Sequence, residues 1–138
     1  MLMTERIASA NDNGKVLAAL DAARASWLTY APYLDLFRSQ LRRARAVPRA
    51  EVPDDMITMN SRFVLADPRT GEGAVSYTLV YPEDESLRLG NLSVLSPMGM
   101  ALFGARVGDE VYWVSSTGPE VARVQRLLYQ PEAAGESW

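Results

Sequence analysis

The sequence predicts an α+β protein. Three observations carry that expectation: two stretches of helical periodicity before residue 45, period-two alternation of apolar residues from Met56 onward, and a Ser-Pro step that starts a short helix between strands. The expected order is two helices, then about five strands in mostly antiparallel pairing with one short helix inserted.

Residues 1–12 have little periodicity and are expected to fray. From Gly14 the apolar residues Val16, Leu20, Ala23 and Trp27 recur at three- and four-residue spacing and form one stripe, with Lys15, Asp21 and Arg24 left for solvent. Thr29-Tyr30-Ala31-Pro32 breaks this first helix. Pro32 suits the first turn of a second, whose stripe is Leu34, Phe37, Leu41 and Ala44. Two such stripes joined by a short break predict an antiparallel helical hairpin over residues 1–50, each helix marginal by itself. Pro48 and Pro53 end it, and residues 47–55, rich in Pro and charge, read as a linker to a second domain over 51–138.

In that domain Ile57, Met59, Phe63 and Leu65 share one parity, and Asp67 to Gly71 supplies turn residues. Val75, Tyr77, Leu79 and Tyr81 form the next alternating strand, and an acidic loop from Pro82 to Glu85 follows. Residues 92–95 are short and apolar, as a buried strand is. Ser96 then suits an N-cap and Pro97 the first helical position, where its missing N–H is no loss. Met98, Ala101, Leu102 and Ala105 make the face of the brief helix, which Gly104 can end in the left-handed conformation. Residues 110–115 and 120–129 read as strands joined by Ser116-Thr117-Gly118-Pro119. The tail QPEAAGESW shows no period.

Composition excludes more than it identifies. The chain of 138 residues has no His and no Cys, so it lacks thiolate nucleophiles, disulfides, zinc-finger ligands and an imidazole base. Lys15 is the single lysine, and its surroundings, NDNGKVLA, hold one glycine, too few to cradle a phosphate. No long uncharged apolar run is present, so neither a signal peptide nor a membrane span is expected, and a cytoplasmic protein is the default. Net charge is −3, divided unevenly. Residues 1–50 hold eight Arg or Lys against four acids, a balance of +4, whereas residues 51–138 hold six against thirteen, a balance of −7. The acidic main body argues against phosphate-backbone binding. Arg38, Arg42, Arg43, Arg45 and Arg49 make a basic edge on the second helix, either a solvated face or a contact for an acidic partner.

The segments VPDDMITMNSRFVL, YTLVYPED, LSVLSPMGMALFGARVGDEVYW and LLYQPEAAG together resemble the regulator of nucleoside diphosphate kinase family, bacterial relatives of the Gre transcript-cleavage factors. The resemblance covers residues 51–135 closely and the first fifty only in plan. It implies an FKBP-like C-terminal domain and binding to RNA polymerase near its secondary channel. In Gre-type factors an acidic pair at the hairpin tip helps hold a catalytic magnesium ion, because two nearby carboxylates suit a hard cation. Here residues 25–33 contain no acid, and Asp21 and Asp35 lie a turn or more away. The expectation is a regulator that binds polymerase and does not stimulate cleavage, with no catalytic residue, cofactor, metal site or sequence-specific nucleic-acid contact.

In the Gre relatives a Ser-Pro turn contacts the rim of the channel, and Ser96 and Pro97 occupy the matching positions, with Met98 beside them. Leu95 stands where the cleavage factors often have an acid. Trp27, Tyr30 and Tyr33 gather at the hairpin tip, as interface aromatics or as packing for the hairpin's own end. Two alternatives stay open. One is an interaction module acting on another partner such as nucleoside diphosphate kinase. The other is a prolyl isomerase, for which Tyr77, Tyr81, Phe103 and Trp113 would have to line an apolar pocket.

Overall fold

The structure, a computed structural model, describes residues 7–24 and 31–136. Two compact units divide the chain, Met1–Val52 and Pro53–Trp138. In the first, strand β1 (Ile7–Ser9) leads into helix α1 (Ala10–Arg24), and helix α2 (Ala31–Arg43) leads into strand β2 (Arg45–Val47). The two strands pair in parallel, Ile7 opposite Arg45 and Ser9 opposite Val47.

This corrects two expectations. The first helix begins at Ala10 and not at Gly14, and residues 7–9 are ordered in a strand. Ser9 supplies the reason: it is buried, and its hydroxyl accepts the Asp12 N–H at 3.0 Å, a side-chain cap that starts the helix. The start of the expected linker is likewise strand, and a 3-10 turn follows at Arg49–Glu51. Three-residue strands are too short to show alternation. The predicted stripes hold at Val16, Leu20, Leu34, Phe37 and Leu41, which are all buried, while Ala23 is only half-buried. Ala44 falls just past α2. Asn13 donates its amide N–H to the Leu41 carbonyl at 3.4 Å, and Arg38 pairs with Asp21 at 2.6 Å, so α1 and α2 meet side by side. Trp27 and Tyr30 lie outside the described residues. Tyr33 is the third residue of α2, and its side chain also lies outside them.

The second unit is a five-stranded sheet with two short helices. Strands β3 (Arg62–Ala66), β4 (Val75–Val80), β5 (Asn91–Ser93), β6 (Glu110–Ser115) and β7 (Gly118–Tyr129) take the order β5-β4-β3-β7-β6. Every pair is antiparallel except β4 with β5. The register between β3 and β7 shifts twice, at Arg62/Phe63 and Val64/Leu65, the irregularities that bend a strand pair. Phe63, Leu65, Leu79, Val111 and Val124 are buried, and Leu65 sits opposite Val124. Each such side chain contributes about 1.5–3 kcal/mol by leaving water. Helix α3 (Pro97–Leu102) packs against β6.

The alternation from Met56 proved a guide to burial but not to strand. Ile57 and Met59 are buried, yet β3 begins only at Arg62. Asn60 adopts φ 67°, a conformation asparagine tolerates better than most residues, and it breaks the extended run. Residues 56–61 are held instead by scattered bonds: Ile57 N–H to the Ala105 carbonyl at 2.7 Å, Thr58 N–H to Ser61 Oγ at 2.9 Å, and Thr58 Oγ1 to Glu132 Oε1 at 2.7 Å. The buried Gln130 amide donates to the carbonyls of Pro53 (2.8 Å) and Met56 (2.7 Å). The tail therefore has structure that its sequence did not announce, including a short helix α4 (Pro131–Ala134). Gly104 does take the left-handed conformation, at φ 86°, but after Phe103 has already ended α3.

Candidate protein-interaction site

The corner between β5 and α3 is built from serine hydroxyls. The Ser93 carbonyl accepts both the Ser96 hydroxyl at 2.7 Å and the Ser96 N–H at 3.1 Å. Ser93 Oγ accepts the Leu95 N–H at 3.1 Å, and the Ser93 N–H donates to Glu85 Oε2 at 3.3 Å. Ser96 Oγ accepts the Gly99 N–H at 3.0 Å, which makes it the N-cap of α3, with Pro97 at the first helical position. The Ser96 hydroxyl proton is thus committed within the turn. What the corner offers outward is the exposed ring of Pro97 and the half-buried side chains of Leu95 and Met98.

Gly99 explains why the turn is so tight. A Cβ at this position would stand 2.0 Å from the Ser93 carbonyl oxygen and 3.0 Å from Ser96 Oγ. The helix can approach the strand end this closely because no side chain intervenes.

Met98 also borders a cleft of about 280 Å³ on the sheet, together with Leu65, Tyr77, Trp113 and the acidic residues Asp67 and Glu72. Asp67 and Glu72 belong to the turn between β3 and β4, where the Asp67 N–H donates to the Glu72 carbonyl at 3.0 Å. The backbone N–H of Arg69, bonded to Asp67 Oδ1 at 2.8 Å, holds the Asp67 carboxyl below the usual carboxylate range. Of the four aromatics considered for an isomerase pocket, Tyr77 and Trp113 share this cleft. Phe103 is buried in the core, and Tyr81 does not line the cleft. Period-two parity already placed Val75 and Tyr77 on one side of their strand, and the register, with Leu65 opposite Val75, brings Leu65 to the same face. Nothing in the sequence signalled that the β3–β4 turn would bring two carboxylates to its edge.

On α2, Asp35, Arg38, Ser39, Arg42 and Arg43 line a second, open groove of about 410 Å³; of the basic edge expected on this helix Arg45 instead lies in β2 and Arg49 in the 3-10 turn, because α2 ends at Arg43. Near the start of the second unit, Arg106 donates to Asp55 at 2.8 Å, and the carboxylate raises the guanidinium pKa above its ordinary value. Among the described residues, no group of three or more Asp or Glu is placed to hold a metal ion, and no helix is long and apolar enough to cross a membrane.

The second unit falls in the class of C-terminal domains of transcription elongation factors. The family model described as "Transcription elongation factor, GreA/GreB, C-term" matches residues 52–127, and the chain belongs to that family. It is 40% identical over 128 residues to the "Regulator of nucleoside diphosphate kinase" of Escherichia coli (strain K12), covering 88% of this chain and 93% of the relative. It is 34% identical over 127 residues to the "Transcription elongation factor GreA" of Chlorobium phaeovibrioides, covering 90% of this chain and 79% of that one. A solved structure, "Prokaryotic transcription elongation factor GreA/GreB from Nitrosomonas europaea", superposes with a TM-score of 0.75 at 29% identity, over 92% of this chain and all of the other. These relatives are named as a regulator and as transcription factors.

Proposed function

We propose that the protein is a non-catalytic transcription regulator that binds RNA polymerase near its secondary channel, competes there with Gre-type factors, and does not stimulate transcript cleavage. The observation that carries the reading is the corner at Ser96, Pro97 and Met98. Its hydrogen bonds fix the backbone, its Pro97 ring is exposed with the half-buried Met98 beside it, and it stands where the resemblance implies docking. In this reading residues 1–50 are an antiparallel hairpin and residues 51–138 an FKBP-like domain. The side-by-side contacts of α1 and α2 support the former.

Two observations support the absence of cleavage. Helices of 15 and 13 residues reach only about 20 Å. Of the acids nearest the tip, Asp21 is engaged by Arg38, and residues 25–33 supply none. A pair of carboxylates to share a metal ion is missing. The aromatic residues Trp27, Tyr30 and Tyr33 at the tip then serve contact rather than chemistry.

Co-purification with core RNA polymerase, with and without a Gre-type competitor, tests the proposal. The protein should be retained, displaced by the competitor, and weakened by Met98→Glu with the fold intact. Retention of the variant at wild-type level removes the corner from the interface, and strong cleavage by backtracked complexes on adding the protein removes the non-catalytic reading. The name of the E. coli relative favours a second partner, nucleoside diphosphate kinase. Adding that kinase as bait in the same experiment separates the two.

A further inference from the structure

We infer that the cleft beside α3 receives the cationic side chain of an arginine or lysine presented by a partner protein. At about 280 Å³ the cleft suits one long side chain and falls below the range typical of drug-sized ligands. Its walls are apolar and aromatic: Leu65 and Met98 can cover an aliphatic stem, and the rings of Tyr77 and Trp113 attract a cation at their faces. Its edge is acidic, with Asp67 and Glu72 both present and no basic residue among the lining.

The charge at that edge is secure. Asp67 stays ionised because the Arg69 N–H is bonded to it, and the Glu72 side chain makes no ion pair among the described residues. Arg69 reaches Asp67 only at 3.6 Å and is 84% exposed, and it does not line the cleft. A surface pair of that kind is weak and readily displaced. A neutral apolar side chain would use the walls and leave both carboxylates idle, and an acidic one would be repelled. Residues 51–138 as a whole carry a balance of −7, which draws the same kind of partner. The inference does not depend on polymerase being that partner.

The test uses the full-length protein, ¹⁵N-labelled, and three blocked tripeptides with arginine, norleucine or glutamine between glycines. The Trp113 indole N–H signal, assigned through Trp113→Phe, reports occupancy. The arginine peptide should shift it saturably and bind at least about fivefold tighter than the norleucine peptide, as expected when a cation–π and a carboxylate contact each contribute two- to fivefold. Asp67→Asn with Glu72→Gln should bring the two peptides within about twofold of each other. If the pair disturbs the turn, Glu72→Gln alone, at an exposed position, should narrow the gap. Equal binding of arginine and norleucine peptides overturns the inference, as does no Trp113 shift with arginine peptide at about 20 mM.

Discussion

Replacing Gly99 by alanine should destabilise the second unit, although alanine is the better helix former. The helix-propensity gain is about 1 kcal/mol. Against it, the new Cβ would lie 2.0 Å from the Ser93 carbonyl oxygen and 2.9 Å from its carbonyl carbon, both backbone atoms that no rotamer change can move. Relief requires α3 or the end of β5 to shift by more than about 1 Å, with a packing cost of about 1–3 kcal/mol or more. The shift also strains the bonds of Ser96 to Ser93 (2.7 Å) and Gly99 (3.0 Å), the cap itself being worth about 1 kcal/mol. The net expectation is a loss of about 1–3 kcal/mol, centred near 2. With a urea dependence of roughly 1 kcal/mol per molar for a unit this small, the midpoint followed by circular dichroism should fall by about 2 M. Gly14→Ala is the control, since nothing lies within 4 Å of its added Cβ in α1, and it should stabilise the first unit by about 0.5–1 kcal/mol. A Gly99→Ala midpoint equal to or above wild type would refute the steric reasoning.

Gln130→Met keeps the side-chain length and removes the two amide bonds, depriving the buried Met56 carbonyl of its amide donor and leaving the Pro53 carbonyl with the Met56 N–H alone. The expected cost is about 2–3 kcal/mol, read as a lower urea midpoint. Ser96→Ala deletes the cap of α3 and should cost about 1–2 kcal/mol without changing the slope of the denaturation curve. The Arg69 N–H holds the Asp67 carboxyl below its ordinary value, so its contribution is complete above that ordinary value and fades as pH falls through the lower folded one. Between about pH 5 and pH 3 the urea midpoint of Asp67→Asn should therefore fall less than that of wild type; parallel declines would remove Asp67 from the acid limb.

What could be read in advance followed the strength of the local signal. The stripes of α1 and α2 and the Ser96-Pro97 start of α3 are short-range patterns of spacing or capping, and they hold in the structure. The strands β1 and β2 are three residues each and pair across nearly forty residues, so no local period could show them. Residues 56–61 mislead because burial on alternate positions does not require extension. A single left-handed residue, Asn60, and partners drawn from Ala105 and Glu132 bury the same side chains without a ladder. The corner at Ser96 was legible as a cap. The commitment of its hydroxyl to Ser93 is local, but the cleft edged by Asp67 and Glu72 depends on register across strands and on the geometry of a distant turn.

Gln130 also sets an order of assembly. Its amide holds the backbone at Pro53 and Met56, and Glu132 reaches Thr58, so the opening segment of the second unit is fastened by its closing one. A chain emerging from the ribosome can form β3, β4 and α3 well before it owns that fastener. The bonds from Gln130 and Glu132 can form only when nearly all of the unit has been synthesised, whereas the residues of α1, α2 and β2 are complete long before. A truncation after Tyr129 would keep every strand of the sheet and the bonds of Asp55 and Ile57 to residues 104–107, but would lose the bonds that hold Pro53, Met56 and Thr58 from the other end.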